Sequence, residues 1–88
     1  MTYLVCYQPE NENQYAVDLL VKVSSWKDKA KVMPNVWVVN SAQTLEDFYS
    51  ELVQCIGEDD TLAVFPVEEA SFHIHPTMLN VLDVLSRG

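Results

Sequence analysis

Apolar positions fall in short runs whose period changes along the chain, and each change marks a new element. Residues 2–7, TYLVCY, are β-branched and aromatic, and the run stops at Gln8-Pro9. Tyr3, Val5 and Tyr7 make one apolar side and Leu4 and Cys6 the other, which predicts a central strand covered on both faces. PENEN follows as a polar turn, with Asn11 or Asn13 able to cap a helix. From Gln14 to Ser24 the spacing is helical, with Tyr15, Leu19 and Val23 in one row and Ala16 and Leu20 beside it. Asp18 and Lys22 stand at i, i+4 on its outer surface.

WKDKAKVM changes to a period of two. Trp26, Asp28, Ala30 and Val32 alternate with Lys27, Lys29 and Lys31, predicting a strand with one charged face. Pro34-Asn35 supplies the turn, and VWVVN, Val36 to Asn40, completes a hairpin. Thr44 opens the strongest helical signal. Thr44 and Asp47 have capping-box spacing, and Glu46 and Asp47 lie at the positive helix end. Leu45, Phe48, Tyr49, Leu52 and Ile56 form its apolar stripe, and Gly57 is placed to end it in the left-handed conformation. The turn EDD leads to TLAVFPV, a strand apolar on both faces.

The order β-α-β-β-α-β over residues 1–67 specifies an α+β fold, a ferredoxin-like split βαβ sandwich. Its sheet is antiparallel in the order 4-1-3-2, so the lysine-bearing strand lies at an edge. Both helices cover one face, and the apolar residues of the other face call for a partner, most economically a second copy. Residues 68–88 form a C-terminal extension. Ser71 to His75 is expected as a fifth strand, and Met78, Val81, Leu82 and Leu85 as the stripe of a short helix. That extension packs on its own domain or on a dimer partner.

Charge narrows the choice of partner. Thirteen acidic and five basic residues give −8, which opposes non-specific attraction to phosphate backbones and anionic membranes. The 88 residues, 49% of them apolar, make one domain near the lower size limit for a single core, where dimerisation adds burial. Cys6 and Cys55 lie far apart inside apolar runs and read as packed thiols. With no leader-like segment and no run approaching the ~20 apolar residues of a membrane span, a cytoplasmic protein is expected.

Three segments, TYLVCYQ, NVWVVNS and LVQCIGEDDTLAVFPV, resemble the small CRISPR-associated ferredoxin-fold proteins of the spacer-adaptation complex. The resemblance is closer to their stand-alone SinR-like relatives, which share a Trp after the first helix and a Trp in the third strand. It covers about residues 2–67. It implies a homodimer, and in the CRISPR members an Asp ending the first strand pairs with its copy to hold a divalent metal. Some members are metal-dependent nucleases, and others act as scaffolds for DNA. The matching position here is Gln8, whose amide offers a neutral oxygen but no charge to offset desolvation of a divalent ion. Two Gln8 side chains across an axis can instead exchange hydrogen bonds.

The remaining candidates are few. Lys27, Lys29 and Lys31 are the only basic stripe; they suit phosphate contact, and equally the lysines that keep edge strands from joining. His73 and His75 at i, i+2 would share a strand face, but a zinc site needs further ligands, with Glu68 and Glu69 nearest in sequence. Glu58-Asp59-Asp60 lacks a calcium loop's spacing and reads as a solvated turn. The expected function is therefore a homodimeric binding or scaffold protein without catalytic residues, cofactor or resident metal, with nucleic acid or another protein as possible partners. One alternative is a Mg²⁺- or Mn²⁺-dependent endonuclease using Glu10 or Glu12. The other is an acidic, phage-type DNA mimic that inhibits a nucleic-acid enzyme.

Overall fold

The computed structural model describes residues 1–11, 17–69, 72–75 and 77–87. Its elements are β1 (Thr2–Gln8), α1 (Val17–Ser24), β2 (Lys29–Met33), β3 (Val36–Asn40), α2 (Leu45–Val53), β4 (Thr61–Val67) and α3 (Leu79–Arg87). The four strands form one antiparallel sheet in the order β2-β3-β1-β4. Read from the β4 edge this is the expected 4-1-3-2 order. Among the described residues the fold is α+β with three helices, an arrangement compatible with the ferredoxin-like one. Glu12, Asn13, Gln14, Tyr15 and Ala16, which carried sequence expectations, lie outside the described residues, as does Ser71.

One face of the sheet carries Tyr3, Val5, Tyr7, Trp37 and Val39, closed over by Leu19 and Val23 of α1 and Phe48 and Leu52 of α2. Phe48 stacks on Tyr3 at 4.5 Å between ring centroids and meets Trp26 at 4.9 Å, tilted. The Tyr3 hydroxyl leaves this apolar layer at its rim, donating to the Gln43 carbonyl at 2.6 Å. Thr44 caps α2 as expected, its hydroxyl accepting from the Asp47 N–H at 3.2 Å.

Several local expectations give way to tertiary packing. Trp26 does not continue the Ala30 face of a strand; β2 starts only at Lys29, and Trp26 packs in the helical layer while Ala30 lies on the opposite face. Lys22 reaches Glu51 on α2 at 3.6 Å and lies 5.6 Å over the Trp26 ring, so it bridges the helices rather than serving α1 alone. α2 ends at Val53, before Ile56, with Gln54 as its right-handed C-cap. Gly57 has no positive φ; among the described residues the left-handed one is Asn35, φ 60°, in the β2–β3 turn, where an asparagine tolerates it.

The expectation that helices cover one face only is corrected by α3. Val81, Val84 and Leu85 pack on Ala30 and Val38, and Leu4, Val32, Phe72, Ile74 and Met78 join them. No fifth strand forms in the described Phe72–His75 segment; Phe72 and Ile74 lie instead against the second sheet face, beside α3. The tail docks through polar contacts as well. The Asn40 side chain donates to Asp28 Oδ2 at 2.6 Å and to the Val84 carbonyl at 2.7 Å, near the C-terminal end of α3. Arg87 pairs with Asp28, with Nε 3.0 Å from Oδ2. The buried Thr2 hydroxyl donates to Asn40 Oδ1, completing a chain from β1 to the last turn of α3.

Candidate functional site

β1 ends in an alternation that separates Tyr7 from Gln8. Tyr7 turns into the helical face and its N–H donates to the Asn35 carbonyl at 3.0 Å. Gln8 lies on the second face opposite Thr61, exposed, its amide 3.5 Å from the Pro9 carbonyl. The carboxylate present at this strand exit is Asp60, from the far side of the sequence. Its Oδ1 accepts from the Glu10 N–H at 2.9 Å, and its Oδ2 from the Gly57 N–H at 2.8 Å and the Tyr7 hydroxyl at 2.9 Å.

These bonds account for the titration of the group. The Glu10 N–H, then those from Gly57 and Tyr7, hold the Asp60 carboxyl below its ordinary value. Burial, followed by the adjacent Asp60 charge, pushes the Tyr7 phenol up to about 12. A Cβ at Gly57 would lie 3.1 Å from Asp60 Oδ2, close enough that the carboxylate would have to give by a few tenths of an ångström. With its oxygens occupied in this way, Asp60 ties the β1 exit to the turn before β4. The solvated-turn reading fits Glu58 and Asp59, which are exposed, but not Asp60.

The other sequence candidates do not converge. Glu10 is exposed and its backbone, not its carboxylate, meets Asp60. Lys27, Lys29 and Lys31 are exposed along the β2 edge, Lys27 before the strand begins. His73 and His75 are exposed, and His75 Nδ1 takes the Thr77 N–H at 3.2 Å, closing a local turn. Among the described residues, no three His, Cys, Asp or Glu side chains gather as a metal site. Cys6 and Cys55 are free and lie on opposite faces of the sheet; burial pushes the Cys6 thiol up.

Sequence reasoning expected an open second face but not which part of it stays open. α3 covers the β2–β3 half, while Phe65 on β4 remains 52% exposed. Beside it, Cys6, Gln8, Val36, Thr61 and Ala63 line a shallow depression of about 290 Å³. The apolar alternation of TLAVFPV announced this surface, but only the placement of α3 shows which half stays open.

Fold and site together define a small α+β domain with a four-stranded antiparallel sheet, its second face half covered. No family model, curated protein or solved structure matches the chain. Among the described residues no helix is long and apolar enough to cross a membrane.

Proposed function

We propose that the protein is a homodimeric binding or scaffold module that self-associates through the open half of its second sheet face. The observation that carries this reading is Phe65, a large aromatic half-exposed on a strand beside other apolar side chains. Gln8 stands on the same face, where an axis nearby would let the two amides exchange hydrogen bonds. The likeness of TYLVCYQ, NVWVVNS and LVQCIGEDDTLAVFPV to CRISPR-adaptation and SinR-like ferredoxin-fold proteins supports the same assignment, with Gln8 replacing their metal-binding Asp. On this reading the chain does not cut nucleic acid.

Sedimentation at micromolar concentration tests the association. The expected result is a dimer that Phe65→Asp converts to a folded monomer; a monomeric wild type overturns the proposal. Incubation with single- and double-stranded DNA and RNA in Mg²⁺ or Mn²⁺ tests the second clause. Cleavage lost on Glu10→Ala would turn the assignment to a nuclease.

A further inference from the structure

A second apolar surface lies on the other side of β4, and it has the form of a trough. Leu45, Tyr49 and Val53 recur every four residues on α2, next to the buried Phe48 and Leu52, and are each 38–40% exposed. Opposite them stand Leu62 and Val64 of β4, half-buried. Two depressions meet at Tyr49. One, of about 300 Å³, is bounded by Leu45, Glu46 and Val64. The other, of about 390 Å³, runs from Val53 and Ile56 to Leu62 and Glu58.

The floor of the trough ends at a sheet edge. Among the described residues β4 pairs along β1 only, so its outer side presents backbone donors and acceptors. Pro66 has no N–H and limits a further ladder to Thr61–Phe65, a span of about 16 Å at ~3.3 Å per residue. A strand added there would send alternate side chains under α2, into the two depressions. The charge around it has one sign: Glu46 borders one depression and Glu58 and Asp60 the other, and among the described residues no basic side chain lines either. Asp60 already accepts three hydrogen bonds, leaving Glu46 and Glu58 as the free anions of the rim.

The geometry points to a docking groove for an extended peptide of a partner protein, with apolar residues at alternate positions and a Lys or Arg at either end. The peptide adds a strand to β4, its main chain supplying affinity and the α2 pockets selecting its side chains. The overall charge of −8 disfavours a second copy here, and its one basic stretch, Lys27, Lys29 and Lys31 along the β2 edge, is checked by the oligomer outcome of the test below. The α2 pockets lie on the opposite sheet face from Phe65, so substitutions in the pockets and at Phe65 probe different surfaces.

A display library of random seven-residue peptides, selected on the full chain, tests this. Enriched sequences should alternate apolar residues and carry Lys or Arg at their ends. A synthesised winner should lose at least about tenfold in affinity, ~1.4 kcal/mol, on Tyr49→Asp. It should weaken on Glu46→Lys, on raising salt and on N-methylation of alternate peptide amides. Glu46 is exposed, so its reversal keeps the test decisive if Tyr49→Asp fails to fold. No enrichment, winners without basic residues, or winners indifferent to Glu46→Lys overturn the proposal. So does a wild-type dimer that Tyr49→Asp or Glu46→Lys makes monomeric, since a second copy would then fill the groove.

Discussion

The two faces of the sheet are covered by different means. The helical face is closed by α1 and α2, which the chain must pass through between strands, and its interior is an aromatic cluster of Tyr3, Phe48, Trp26 and Trp37. The second face is closed by an appended helix, held by aliphatic contacts and by the Thr2–Asn40–Asp28–Arg87 chain. Coverage that is part of the topology cannot leave without unfolding the sheet. Coverage that is appended can, and polar contacts at its far end fix where it docks. The difference teaches that the first face carries global stability, while the second can open locally.

The largest expected effect breaks the first face. Phe48→Ala removes a fully buried ring that touches both Tyr3 and Trp26, and should cost about 3–5 kcal/mol, read as a lower urea midpoint for the whole domain. A loss confined to one helix would contradict the division drawn above. Asn40→Ala strikes the second face. It leaves the Val84 carbonyl without this donor and the buried Thr2 hydroxyl without its acceptor, while Asp28 keeps Arg87, at a cost of about 1–3 kcal/mol. Amide exchange should accelerate in α3 and change little in β1 or α2; uniform acceleration would show that the two faces open together.

Acid sharpens the same contrast. The Arg87 hydrogen bond, with that of Asn40 beside it, outweighs partial burial and lowers the Asp28 carboxyl to about 2 from an ordinary 3.8. A depressed folded value contributes stability fully above about pH 4, which is lost as pH falls towards 2. Methyl resonances of Val84 and Leu85 should therefore shift in that window, before those of Leu19 and Leu52, and Asp28→Asn should abolish the early shift. The smallest effect concerns the β1 exit. Tyr7→Phe forfeits one hydrogen bond to Asp60, about 1 kcal/mol near neutrality. Because the folded phenol titrates at about 12, above its ordinary 10, its contribution is complete below pH 10 and fades between 10 and 12. Wild type and variant should converge in urea midpoint across that interval.

Much of this frame was legible in the residues. Short runs apolar on both faces placed β1, β3 and β4, a period of two placed β2, the Thr44–Asp47 spacing placed the start of α2, and two βα units joined by a hairpin gave the strand order. What escaped depended on partners distant in sequence. Trp26 alternates with the lysines as a strand residue does, yet Phe48 draws it into the helical layer. Phe72 and Ile74 alternate as in a strand, but they meet α3 and the sheet face rather than a free edge. Asp60 looked like one acid among three because its donors, at Tyr7 and Glu10, lie about fifty residues away. The candidate site was less legible than the fold for the same reason: exposure of Phe65 or Tyr49 depends on what α3 and α2 leave uncovered. Local periodicity reports which residues want burial, and not which of them obtain it.

The position of α3 in the chain has a consequence for synthesis. β1 to β4 precede it, so the sheet can form before α3 docks over Leu4, Ala30 and Val38. A newly made chain can then close its aromatic face and still present a bare aliphatic one. Neighbouring chains on one message then meet with their sheets uncovered, and each newly made α3 has two equivalent places to dock.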